Sequence, residues 1–282
     1  MDISKSSLKN GFITLQSLFN IYNKYLKWRP AFYKRKWKMY QYLNNYIDCV
    51  ESKHTNYQFR NGYNLSYEEK SSAEHIFSEI FIGDCYPLAR NNRDKKLIVD
   101  IGANIGFFTF YAKIKYPDSL IISVEADPNI FTVLSKNIYE NNLSESIKIF
   151  NNVISPAKGK QPFYLSNNPG WSSSYNTRGA KNGEMVYLEP LSLSDLFRLN
   201  KIDKIDVLKI DVEGAEYDVM LNDDFLDNYF IEEIFVEVDK NPRDEKYTFS
   251  DLTNLLDKHF NSIQVINIGS EYPLIHCKKN NF

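Results

Sequence analysis

Three stretches of this 282-residue chain place glycines and carboxylates where a strand hands over to a helix. The first is LIVDIGANIGFF, Leu97 to Phe108. Apolar and β-branched residues run into Asp100, then a tight Gly-Ala-Asn-Ile-Gly turn leads to an aromatic helix start. Strand, glycine turn and helix N-terminus in that order form a nucleotide-cradling unit. Gly102 and Gly106 lack a Cβ, so the backbone can take positive φ and a ligand can lie directly on it. Ala103 and Asn104 complete the turn, and the helix opening at about Phe107 offers unpaired N–H groups to a carboxylate or a phosphate. Asp100, at the strand end, can fix the turn by accepting backbone N–H bonds or can accept from a cationic ligand. The spacing DxGxNxG fits neither the GxGxxG dinucleotide pattern nor the GxxxxGK[ST] phosphate loop. An NAD-dependent dehydrogenase is therefore disfavoured, and a triphosphate would lack its usual lysine and metal-binding hydroxyl.

The second stretch is LIISVEADPN, Leu120 to Asn129. Leu120, Ile121, Ile122 and Val124 read as a buried strand, with Glu125 at its carboxyl edge. In doubly wound sheets an acidic side chain at this point accepts hydrogen bonds from the ribose hydroxyls of a nucleotide. The plainer alternative is that Glu125 or Asp127 caps the next helix, with Pro128 in its first turn. The third stretch is KIDVLKIDVEGAEYDVM, Lys204 to Met220. Ile205, Val207, Leu208 and Ile210 form another parallel-type strand that ends at Asp211. Ligands sit beyond the carboxyl ends of such strands, so Asp211 is expected opposite the first glycine turn.

Taken together, the DIGANIG turn, the VEADPN strand end and the LKIDVEGAE segment resemble the FkbM-type S-adenosylmethionine-dependent methyltransferases. The resemblance covers roughly Glu79 to Asp239, and LKIDVEGAE is its most specific part. It implies the seven-stranded class I methyltransferase fold and methylation of hydroxyls on sugars or other secondary alcohols. It also implies that a helical segment before the first strand closes over the cofactor, which makes Tyr86 in GDCYPL a candidate lid contact. Asn152 and Val153, at the exit of the third strand, stand where adenine is read, or simply close a turn. Ala126 departs from the proline that relatives often carry after the ribose-binding glutamate; Glu125 itself is retained.

The totals are compatible with this. Hydrophobic content of 43% supports a full core, and a formal charge of -2 gives no global attraction to nucleic acid or an anionic membrane. Cys49, Cys85 and Cys277 are widely spaced and odd in number, matching neither a disulfide framework nor a zinc pattern, which favours a reducing, cytoplasmic setting. We find no transmembrane run and no signal-peptide shape at Met1 to Asn10. His75 reads as a surface or core histidine rather than a base, and His54, His259 and His276 fit no ligand spacing. The expected fold class is α/β: a mostly parallel seven-stranded sheet closed by an antiparallel C-terminal hairpin, preceded by an N-terminal helical extension.

Along the chain, residues 1–75 read as a helical arm, with Phe12, Leu15, Leu18, Phe19 and Tyr22 at helical spacing; the methyltransferase domain is expected over 76–282. From Lys24 to Lys38 seven basic residues and no acids are interleaved with Trp28, Tyr33 and Trp37. Such a segment can pack its aromatics on the catalytic domain or on a second subunit of a homo-oligomer. It can also lie on the inner face of a membrane or hold an anionic glycan. Leu65 to Tyr86 reads as a second helical stretch with a Ser66/Glu69 capping box. The alternating units predict strands at 97–101, 120–125, 147–151, 185–189, 205–210 and 231–238, and helices at about 107–116, 129–141, 193–199 and 248–259. Residues 263–268 and 274–277 are expected to form the closing hairpin. The loop SNNPGWSSSYNTRGAKNG carries Trp171, Ser172 and Ser173, whose aromatic face and hydroxyls suit a sugar ring.

For the chemistry, the resemblance supplies a methyl donor, and the protein must place an acceptor oxygen in line with it. Asp211, Glu213 and Glu237 are the nearest carboxylates by topology. We expect Asp211 closest to the transfer centre and Glu213 or Glu237 taking the proton, the alternative being that these acids orient the cofactor while water takes it. Asp211 with Glu237 or Asp239 could hold Mg²⁺, but no compact metal motif supports this. The leading reading is O-methylation of a glycan, nucleotide sugar or lipid-linked saccharide. A small-metabolite or polyketide-type alcohol is the alternative acceptor. A non-catalytic methyltransferase fold that binds glycans or aids assembly is the alternative from another class.

Overall fold

A computed structural model describes residues 56–59, 61–67, 73–88, 96–166, 172–175, 184–239, 246–266 and 273–279. Residues 1–55 of the arm expected over 1–75, its basic segment 24–38, Glu69 and Trp171 lie outside the described residues. The first elements are β1 (Asn56–Gln58), β2 (Asn64–Ser66) and α1 (Ala73–Phe77), which runs on as a π-helical turn over Ser78–Ile82. Then come β3 (Leu97–Ile101), α2 (Phe107–Lys115), β4 (Leu120–Val124), α3 (Pro128–Glu140), β5 (Ile147–Phe150), β6 (Val153–Ile154), β7 (Gln161–Tyr164), β8 (Met185–Leu188) and β9 (Pro190–Leu191). The chain continues through α4 (Leu193–Leu199), β10 (Lys204–Ile210), α5 (Glu216–Leu221), α6 (Phe225–Asn228), β11 (Phe230–Glu237), α7 (Phe249–His259), β12 (Ser262–Ile266) and β13 (Leu274–Lys278).

Among the described residues, seven strands form one sheet in the order β12-β13-β11-β10-β3-β4-β5. The pairs β3–β4, β4–β5, β3–β10 and β10–β11 are parallel, and β13 runs antiparallel to both β11 and β12. Only β13 therefore opposes the rest. This is the doubly wound class I methyltransferase architecture, its last strand slotted between the two before it. Two short parallel strands, β6 and β9, and the antiparallel pair β7–β8 lie outside the sheet. The chain divides into two compact units, Met1–Cys85 and Tyr86–Phe282.

Strand alternation sorts the two faces of the sheet. Val99, Ile101, Ile122, Val124, Leu208, Ile210, Ile234 and Val236 point to one side. There they pack with Leu193, Leu196 and Phe197 of α4, Phe225 of α6 and Leu252 and Leu256 of α7. The opposite face carries a polar row set by register, with Ser123 beside Asp100, Asp100 beside Lys209, Lys209 beside Phe235 and Phe235 beside His276. Helix α2 lies over this row: the Thr109 hydroxyl donates to Asp100 Oδ2 at 2.6 Å and lies 2.8 Å from Ser123 Oγ. At the row's end, His276 stacks on Phe235 at 4.2 Å and its Nε2 lies 2.7 Å from Glu233 Oε1.

In the first unit one expectation changes. Ser66 ends β2, a strand paired with β1, and does not cap a helix. An Asn61-Gly62 turn, with Gly62 at φ 91°, joins two alternating segments whose Tyr57, Phe59, Leu65 and Tyr67 are all buried. That is a hairpin signal, and here it overrides the helical reading. Tyr57 stacks on Phe77 of α1 at 4.2 Å. No described helix is long and apolar enough to cross a membrane.

Candidate active site

The strand order reverses between β3 and β10, which are neighbours although the chain builds outward from them in opposite directions. A crevice opens beyond the carboxyl ends of strands at such a point. Three loops meet there.

The β3–α2 turn is fixed by β4: the N–H groups of Gly102 and Ala103 both donate to the Val124 carbonyl, each at 2.9 Å. Gly102 has φ 74° and presses on the loop after β10 so closely that a Cβ would lie 1.7 Å from the Asp211 carbonyl oxygen. The Asp211 N–H in turn donates to the Ile101 carbonyl at 3.1 Å. Asn104 is left-handed, with φ 51°. Gly106 precedes α2 at φ 106° with no side-chain cap, and Phe107 is buried as the helix's first residue. Asp100 lies beneath the turn, fully buried against Thr109 and Lys209.

Glu125 follows β4. Its Oε2 accepts from the Asn104 N–H at 2.8 Å and its Oε1 from the Asp127 N–H at 2.8 Å. A carboxylate oxygen can accept twice, so each keeps one acceptor position for another donor. Burial, reinforced by Asp127, pushes Glu125 up to about 7 in spite of these two bonds. Asp127 caps α3 from Asn129 and Ile130 and also accepts from the Ser172 hydroxyl at 2.7 Å. Asn151, not singled out above, donates to the carbonyls of Glu125 and Ala126 at 2.8 and 3.0 Å and steadies the glutamate's backbone. The Asn152 side chain donates to the Glu189 carbonyl at 3.2 Å, and Val153 is buried in β6.

The loop after β10 is held from inside. Glu216, fully buried, accepts the N–H groups of Val212 and Gly214 on Oε1 at 2.9 and 3.1 Å. Burial first, then Asp239, raises this carboxyl to about 8. Glu213 sits at φ 54°, unusual for a residue with a side chain, and its carbonyl accepts the Ser173 hydroxyl at 2.6 Å. Its own carboxyl meets Asp239. Burial, then Asp211 and Asp239, hold Glu213 well above the usual carboxylate range, and burial brings Asp239 to about 6. Glu237, at the end of β11, accepts from the Tyr86 hydroxyl at 2.9 Å. The Tyr86 ring is buried edge-on against Phe108 and Phe235.

The structure thus brings Gly102, Asn104, Glu125, Asp211 and Glu213 to one crevice. Ser172 and Ser173 bridge its two sides, the first to Asp127 and the second to Glu213. Ser173 is fully buried and spends its one donor on that bridge. Lys209 is the residue that sequence reasoning passed over. Its ammonium donates to the Gly102 carbonyl at 2.7 Å and the Ile101 carbonyl at 3.3 Å, and pairs with Asp211 at 3.1 Å and Asp100 at 3.4 Å. Burial works against its charge, but Asp211 and then Asp100 outweigh it and hold the lysine above its ordinary range. The available signal was a lysine between Leu208 and Ile210, inside a strand buried on both faces. Among the described residues no group of three or more histidines, cysteines or carboxylates is arranged to hold a metal ion.

The Methyltransferase FkbM domain family matches residues 100–262. Methyltransferase sdnD of Sordaria araneosa is 32% identical over 186 residues, covering 55% of this chain and 71% of that protein. Methyltransferase 1 of Beauveria bassiana (strain ARSEF 2860) is 30% identical over 185 residues, covering 58% and 74%. Among solved structures, a methyltransferase FkbM from Methylobacillus flagellatus KT overlaps with a TM-score of 0.46 at 14% identity, covering 71% of this chain and 47% of that one. M. capricolum TrmK, solved with S-adenosyl-homocysteine, overlaps with a TM-score of 0.41 at 15% identity, covering 71% and 68%. The family match spans more than half of the chain and contains both Gly102 and Asp211, and the protein belongs to the methyltransferase FkbM domain family.

Proposed function

We propose that the protein is an S-adenosylmethionine-dependent O-methyltransferase acting on a hydroxyl of a sugar or glycan. The observation that carries the donor assignment is Glu125: it is pinned by two backbone N–H groups, each of its oxygens keeps an acceptor position, and it is tied to the Gly102 turn opposite Asp211. These residues fit the cofactor. Two acceptor oxygens match a ribose diol, and the missing Cβ at Gly102 leaves the turn flush for a ligand. Bound there, S-adenosylmethionine supplies a sulfonium methyl that is already a strong electrophile.

The chain's own residues then have separate tasks. Glu125 grips the ribose, and the backbone around Asn152 and Val153 flanks the adenine side. Asp211, its carbonyl fixed against Gly102 and one carboxylate oxygen against Lys209, stands nearest the transferred methyl. In-line placement of an acceptor is worth up to roughly 7–11 kcal/mol, which makes orientation the main contribution. Glu213, its backbone held by Ser173 and its carboxyl set against Asp239, takes the acceptor's proton from its ionised form, adding about 10²–10⁴-fold. Glu237 is engaged by Tyr86 and orients that side of the crevice. The carbohydrate assignment rests on the hydroxyl- and amide-rich loop around Trp171 and Ser172, which joins the donor side at Asp127.

Calorimetry with S-adenosylmethionine, followed by transfer of its labelled methyl group to a panel of glycans, nucleotide sugars and small alcohols, tests this. Saturable donor binding with label in the saccharides is expected. Label only in small alcohols moves the acceptor class, and absence of donor binding leaves a non-catalytic binding protein. The same reading carries a cytoplasmic location with the basic segment 24–38 against the inner membrane face. Co-sedimentation with anionic vesicles, lost when those lysines and arginines are neutralised, tests that part.

A further inference from the structure

We propose that Lys209 is a positioning residue of methyl transfer, whose ammonium ties the Gly102 carbonyl at the end of β3 to the Asp211 carboxylate at the end of β10 and so sets where Asp211 stands. The inference rests on reading the crevice as the methyl-donor site. It goes beyond that reading by giving a task to a buried cation that makes no direct approach to the donor.

The strand register produces the arrangement. Lys209 pairs with Asp100 on the neighbouring strand, and Asp211 follows two residues later on the same face. An ammonium has three N–H donors. Here they face the Gly102 carbonyl at 2.7 Å, the Ile101 carbonyl at 3.3 Å and Asp211 Oδ2 at 3.1 Å, while Asp100 Oδ1, at 3.4 Å, is held by charge alone. None is left for a ligand. The side chain of Lys209 is 4% exposed and that of Asp211 29%, so the ion pair runs from the closed interior to the open crevice. Asp100 has a second support in Thr109, whereas Asp211 takes its side-chain hold from Lys209. A buried pair with only a stabilising role could be replaced by apolar groups at little cost. A lysine that orients a reacting-site carboxylate could not.

The test uses the full-length protein in an Asp100→Asn background, which removes the carboxylate that Lys209→Met would otherwise leave buried without a cation. Adding Lys209→Met is expected to lower kcat on the order of 10²-fold, as expected for a displaced reacting group. The calorimetric Kd for S-adenosylhomocysteine should stay within about threefold, because the Glu125 grip is untouched. In a further Asp211→Asn background the same lysine change should have almost no effect on kcat, since the two residues act as one unit. Should the Met variant fail to fold, Lys209→Arg carries the comparison: it keeps the charge, shifts Asp211, and should lower kcat with Kd retained. Unchanged kcat with normal S-adenosylhomocysteine binding, or an equal loss with and without Asp211, overturns the inference alone. Absence of S-adenosylhomocysteine binding by the wild-type protein overturns the donor-site reading, and this inference with it.

Discussion

Gly102 and Asp211 touch backbone to backbone: a Cβ on the glycine would fall 1.7 Å from the aspartate's carbonyl oxygen, and the glycine's φ is 74°. Gly102→Ala therefore meets both a steric block and a strained dihedral. It should destabilise the protein by about 3 kcal/mol or more, since backbone has to shift rather than a flexible side-chain tip. Urea denaturation of the purified variant checks this, with donor binding measured beside it. Wild-type stability would mean that the two loops can separate freely.

Glu125 gives a second expectation. Glutamine in its place can accept one of the two backbone N–H groups and must set an NH₂ against the other, at a cost of about 1–3 kcal/mol. Donor affinity should fall at least about tenfold, because a ribose hydroxyl loses a charged acceptor. Glu125→Gln titrated with S-adenosylmethionine in a calorimeter decides it.

The same carboxyl predicts a pH dependence. Burial lifts Glu125 to about 7, so it is ionised above that pH and protonated below it. A protonated carboxyl has one acceptor fewer for the diol, and donor binding should weaken as pH falls from 8 to 6. The limiting slope is about tenfold per unit for a single required ionisation. A flat profile in wild-type calorimetry would remove Glu125 from the grip.

Stability of the unliganded protein should move the other way. Burial raises Glu216 to about 8, Glu125 to about 7 and Asp239 to about 6, against ordinary values of 4.5, 4.5 and 3.8. Between those limits the folded state holds more protons than the unfolded chain, so stability falls as pH rises. Each fully differing group contributes about 1.4 kcal/mol per unit. Melting temperature should be higher at pH 5.5 than at pH 8, and the slope should shrink in Glu216→Gln. The lowered groups Glu233 and Asp251 act below this window and do not cancel it.

Ser173→Ala tests the link between the loops. Removing its hydroxyl frees the Glu213 carbonyl while leaving Glu125 and Asp211 in place. A stability loss of about 1 kcal/mol is expected. The kinetic signature should be a lower kcat with an unchanged donor Kd; equal turnover would show that Glu213 needs no such hold.

The fold was readable because strands β3, β4 and β10 are short runs dominated by apolar and β-branched residues, each ended by an acid or a glycine turn. The same feature marked Gly102, Glu125 and Asp211, since their places depend on topology that a parallel sheet dictates. What escaped depends on register and long-range geometry. Nothing local says that Lys209 will stand beside Asp100, or that Ser173 will reach a carbonyl forty positions away. Asn151 was passed over for Asn152 because neighbouring amides look alike until the backbone direction is known. The hairpin at Asn61-Gly62 was missed because the helical spacing of Phe12 to Tyr22 was extended over the whole stretch 1–75.

Ser172 and Ser173 are adjacent, yet one is fastened to the residue that caps α3 and the other to the strained turn beyond β10. On the proposed reading, in which this loop meets the acceptor, redesigning it would pull on a thread sewn into both flanking loops. Variants altered in this loop should accordingly lose donor affinity and turnover together, and compensating changes belong at Asp127 and Glu213.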